Sequence, residues 1–126
     1  MAEIEKAASS LLIQSESDYP LQPFIWPSEE SFSLERLLKL KKYPPGTPVE
    51  TLGMDQFFRH AIAEQDWHGP AEQESTRRFR ALVATLKEHL RDIAVYKIGE
   101  INIAVYIIGH TKDGKYAGLS TKVVET

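Results

Sequence analysis

The last third of the chain reads in a period of two, and its connections leave little freedom in how the pieces pair. Val95-Tyr96-Lys97-Ile98, Ile101 to Ile108 and Tyr116 to Val124 are rich in β-branched and aromatic residues, as strands require. Short connections, with Gly99-Glu100 and Lys112-Asp113-Gly114-Lys115, separate them. A parallel return needs a crossover of about a dozen residues, so the runs predict an antiparallel meander, with Asp113-Gly114 as a hairpin turn. Ile103 to Ile108 lacks polar alternation, which predicts a central strand covered on both faces and helices on two sides of a sheet.

The first two-thirds reads mainly in the helical period. Ile4, Ala7, Ala8, Leu11 and Leu12 share one face of a helix expected over Glu3 to Leu12. Ser33 is a natural N-cap for a helix over Leu34 to Lys42, and Gly53 to Ala63 stacks Met54, Phe57, Phe58 and Ile62 on one side. The clearest helix starts near Pro70 and runs to about Arg91, with Phe79, Leu82, Val83, Leu86 and Leu90 in phase. Phe24-Ile25-Trp26 and Val49 to Leu52 are short strands. Pro44-Pro45-Gly46-Thr47-Pro48 has the composition of a linker, yet too few residues precede it for an independent core. The fold class expected is therefore α/β in layers (α+β), with a mixed or antiparallel sheet between helices, in one domain over residues 1–126.

Several chemistries are excluded by composition. The chain has no cysteine, which removes disulfides, thiolate zinc sites and a Cys nucleophile. Its net charge of −3 argues against a nucleic-acid backbone as the main ligand and makes a basic partner the natural one. No apolar stretch approaches the roughly 20 residues of a membrane span. The start, Met1-Ala2-Glu3-Ile4-Glu5, is acidic where a signal peptide is basic, so a cytoplasmic location is expected. There is no phosphate loop, dinucleotide fingerprint, nucleophile elbow or zincin motif, and no enzyme is expected. Ser120 follows Gly118 without the second glycine of an elbow, and the expectation is an ordinary strand residue. His60, His68, His89 and His110 offer no i, i+4 pair for a metal. Arg77, Arg78 and Arg80 share a helix with Glu72, Glu74 and Glu88, which reads as a solvated face rather than a nucleic-acid patch.

Three places stand apart. Residues 1–30 carry six acids against one base, Lys6, for a net −5, and Glu16 and Asp18 fall there on an expected loop. Such a pair can do acid–base work, bind a metal, face a basic partner or simply be solvated. Trp67, between Asp66 and His68 in a loop between helices, belongs to no apolar stripe; exposed, it would be an interface anchor, and buried, a core residue. The chain ends at Thr126 directly after an expected strand, with Glu125 beside it; the terminal carboxylate and hydroxyl together suit a hard cation, although most termini merely end.

Ser15-Glu16-Ser17 with Tyr19-Pro20, Gln65-Asp66-Trp67, Tyr96 with Gly99-Glu100, Val105-Tyr106 with Ile108-Gly109, and Ser120 through Thr126 occur in an order and spacing that resembles the nuclease A inhibitor family of small acidic bacterial proteins. The resemblance implies a three-layer α/β/α sandwich with a central mixed, largely antiparallel sheet, and a partner that is a sugar-non-specific, metal-dependent endonuclease. It implies that Glu16 and Thr126 approach the nuclease's metal and that Asp66 and Trp67 contact the enzyme, with Glu125 in the same binding set. No cofactor or metal of the chain's own is implied. Pro27 to Pro48, with its basic Lys39-Leu40-Lys41-Lys42, departs from the family pattern. A small ligand-binding domain and a general protein-interaction module on the same fold are the rival readings.

Overall fold

The computed structural model describes residues 2–9, 11–13, 19–27, 32–44, 46–62 and 69–124. It is an α+β fold built on a five-stranded sheet. The described elements run α1 (Ala2–Ala8), β1 (Leu12–Ile13), β2 (Tyr19–Pro20), β3 (Gln22–Ile25), α2 (Leu34–Leu40), β4 (Val49–Leu52), α3 (Met54–Phe57), α4 (Arg59–Ile62), α5 (Pro70–His89), β5 (Arg91–Ile98), β6 (Asn102–His110) and β7 (Tyr116–Val124).

The predicted meander is present, as β5, β6 and β7 pair antiparallel in sequence order. β3 adds to the outer side of β7 and β4 to the outer side of β5, giving the order β3-β7-β6-β5-β4. Every pairing among the described residues is antiparallel, so the mixed alternative is set aside. β6 is central, and its side chains divide by parity. Ile103, Val105 and Ile107 join one apolar cluster, with Ile4 of α1, Met54 of α3 and Phe79, Leu82 and Leu86 of α5. Tyr106 and Ile108 join another, with Phe24, Trp26, Ile98 and Leu37 of α2. Because successive strand residues point to opposite faces, a continuous apolar run implies two covered faces, and that is the observed arrangement.

Local chemistry accounts for most element ends. The Ser33 hydroxyl accepts from the Arg36 N–H at 3.2 Å and starts α2. The helix closes with a Schellman pattern: Lys42 takes φ 59°, its N–H reaches the Lys39 carbonyl at 3.1 Å, and the Tyr43 N–H reaches the Leu38 carbonyl at 3.0 Å. At the start of α5, Glu72 reaches back to the Gly69 N–H at 3.1 Å, and Pro70 takes the first helical position. Gly114 has φ +81° in the β6–β7 turn, a conformation open to glycine without a Cβ penalty.

Two helices are shorter than periodicity predicts. The first stops at Ala8, because Leu12-Ile13 pairs with Tyr19-Pro20 as a two-stranded ribbon; Leu11 still reaches the core from beyond the helix end. The expected helix over Gly53 to Ala63 is two short helices meeting at Phe58, whose ring is almost fully buried between Phe57 and Phe79. In compensation, β5 starts earlier than predicted, at Arg91. Asp92 at φ 52° and a register shift between Arg91 and Ala94 form a bulge opposite Gly109, and a Cβ there would stand 2.9 Å from the Arg91 carbonyl oxygen.

Candidate functional site

Glu16 and Asp18, Asp66 and Trp67, and Glu125 and Thr126 lie outside the described residues, as does His68. The structure describes the elements that flank them. On one side of the acidic loop, Ile13 of β1 is opposite Tyr19 of β2. β2 in turn lies against β7: the partly buried Thr121 hydroxyl donates to the Tyr19 carbonyl at 3.5 Å, and the Lys122 ammonium stands over the Tyr19 ring, 6.0 Å from its centroid. Val124, the last described residue of β7, is opposite Asn102 at the start of β6.

The flank of Trp67 is set by the long helix. The C-terminal end of α5 packs at Gly109, where an added Cβ would meet that of Leu90 at 2.9 Å. Twenty residues of helix extend about 30 Å, so Pro70 starts α5 far from that contact. Tyr19 belongs to the separate β1–β2 ribbon, Val124 to the five-stranded sheet and Gly69 to the start of α5.

Other residues singled out in the sequence have structural roles. Arg77 pairs with Glu74 at 2.7 Å, the Arg78 guanidinium donates to the Ser9 carbonyl, and Arg80 Nε donates to the Ile62 carbonyl at 2.8 Å. The arginine cluster therefore ties α5 to the ends of α1 and α4, a use the sequence did not reveal because both acceptors are main-chain carbonyls remote from it. His110 lies against Tyr116, ring centroids 4.2 Å apart, and Ser120 is a half-buried strand residue. Among the described residues no group of three His, Asp or Glu side chains could hold a metal. None of their helices is long and apolar enough to cross a membrane.

One feature at the middle of β6 was not visible in the sequence. Tyr43 and Tyr106, 63 positions apart in the chain, share a hydrogen bond between their side chains, and burial pushes both hydroxyls above the ordinary phenol value of 10.0. Both are neutral at physiological pH. Tyr43 owes its position to the left-handed turn at Lys42 that ends α2.

Among curated proteins, no match is found. The sequence model of one family, described as nuclease A inhibitor-like protein, matches residues 1–126. That match spans the acidic segment, the segment around Trp67, the α5-covered sheet and the last strand together. The chain belongs to the nuclease A inhibitor-like family.

Proposed function

We propose that this protein binds and blocks the active site of a sugar-non-specific, metal-dependent endonuclease. The observation that carries the reading is the family match over the full 126 residues. It is supported by chemistry. A nuclease active site is a basic, metal-containing groove made for phosphates, and carboxylates are the groups a protein has to offer in their place. Glu16 and the Thr126 carboxylate would face the nuclease's metal, Asp66 would add charge, and Trp67 would supply the desolvated anchor, with Glu125 at the rim. The contact between Tyr19 and Thr121 favours treating Glu16 and Thr126 as one acidic contact, since each is few residues from that pair.

The test is a titration of DNA and RNA hydrolysis by a metal-dependent nuclease from the same source. Inhibition should saturate at one inhibitor per enzyme. Raising salt should slow association more than it speeds dissociation, because exposed charges are screened beyond about 8 Å near physiological ionic strength. Absence of inhibition across several such enzymes would leave an interaction module with another target.

A further inference from the structure

We propose that a groove on the α2 face of the sheet is a carboxylate-binding site, taking one acidic group on a short apolar stem. The groove has a volume of about 330 Å³ and lies between β2, β7 and the segment after α2. Its polar lining is made of Tyr43, Tyr106, Ser120, Gln22 and Lys122, and Tyr19 and Ala104 supply apolar wall.

Four features select a carboxylate. The lining contains no acid, so an anion entering it meets no like charge among the described residues. Tyr43 and Tyr106 use one hydroxyl proton on each other, which leaves one free to donate into the groove. Phenols are protonated at neutral pH, so both tyrosines are hydrogen-bond donors there. Lys122 brings the one formal charge among the described lining residues; its ammonium rests over the Tyr19 ring, and no described carboxylate pairs with it. A single ammonium surrounded by hydroxyl and amide donors matches a monoanion, whereas a phosphate dianion calls for the forked donors of arginine, and none lines the groove. The volume is at the lower limit of ordinary ligand sites and is enough for a side-chain-sized group. The acid can come from a partner protein's Glu or from a free small carboxylate.

This site is separate from the acidic nuclease contact in sign of charge, and its test needs no nuclease. The protein is titrated with 3-phenylpropionate, with its neutral amide, with inorganic phosphate and with the blocked peptide acetyl-Gly-Glu-Gly-amide at constant ionic strength, while the backbone amide resonances are followed. Saturable shifts confined to Gln22, Tyr43, Ser120, Thr121 and Lys122 are expected with one or both carboxylates and not with the amide. Lys122→Met, which keeps the stem, should weaken binding about tenfold or more, and Lys122→Arg should retain it. Lys122 is exposed, so neither change should alter the fold. A tighter peptide assigns the site to a partner's acidic side chain, and a tighter free acid to a small molecule; both support it. Shifts scattered over the lysine and arginine surface, equal response to the amide, stronger binding of phosphate, or binding undiminished in Lys122→Met would each overturn it.

Discussion

A Cβ placed on Gly118 would stand 1.7 Å from the carbonyl oxygen of Ile107. Both residues are in the middle of the sheet, on the paired strands β7 and β6, and the obstacle is backbone that cannot swing aside. Gly118→Ala should therefore cost about 3 kcal/mol or more, lowering the melting temperature by about 10 °C. Gly114→Ala meets no atom within 4 Å and carries only the strain of φ +81°, so its cost should be near 1 kcal/mol. Thermal melts of the two variants check the order, and equal losses would refute the steric account.

Lys42 occupies the left-handed position after α2 that glycine fills at least cost. Lys42→Gly should raise stability by about 0.5–1 kcal/mol, whereas Lys41→Gly, at φ −89° and inside the last helical turn, should lower it. Urea titrations of both variants supply the comparison. A destabilised Lys42→Gly would mean that the lysine side chain itself contributes.

Alkaline pH should weaken the fold through the buried phenols. Tyr106 and Tyr43 are held above 10.0 chiefly by burial, so the folded state keeps its protons after the unfolded chain has lost them. Unfolding then releases protons, and stability falls as pH rises from about 10 through the raised folded values. Below that range the contribution is constant. Tyr106→Phe should flatten the decline in denaturation measured between pH 9 and pH 11, values on the order of the phenol range.

Trp67→Ala should weaken nuclease binding by about 2–4 kcal/mol while leaving the melting temperature nearly unchanged. A core tryptophan would behave otherwise, losing about 3–5 kcal/mol of stability. Paired inhibition and melting measurements separate the two, and a collapse of both would make Trp67 structural.

Glu16→Gln and a Gly-Ser tail added after Thr126, which replaces the terminal carboxylate there with a neutral peptide bond, should each weaken inhibition. If both act on one metal-centred network, the double variant should fall short of the sum by about 0.5 kcal/mol or more. A strictly additive pair, measured at matched metal concentration, would assign the two residues to independent contacts.

Some elements were legible because their cause is local. Ser33 and Pro70 act within one helical turn, and the β5–β6–β7 meander follows from connections too short for any other return. The helices over Glu3 to Leu12 and Gly53 to Ala63 were read too long, because an apolar stripe records which side chains are buried and not whether one helix carries all of them. Leu11 is buried beyond the end of α1 and Phe58 at the break between α3 and α4, so both satisfy the stripe without continuing the helix. The proposed nuclease contacts were legible only by resemblance, since Glu16, Trp67 and Thr126 belong to no periodic pattern.

The sequence by itself determined the types of the larger elements, the antiparallel meander, the central place of β6 and the lack of thiol chemistry. These depend on side-chain period, capping within a turn, connection length and composition, all of which are short-range. Tertiary structure decided that β3 and β4 form the two edges, that Arg78 and Arg80 tie neighbouring helices, and that Tyr43 meets Tyr106 beside Lys122. Those arrangements join residues tens of positions apart. Their loop-closure cost is offset only when the whole apolar core is buried at once, so no local stretch of sequence carries their signature.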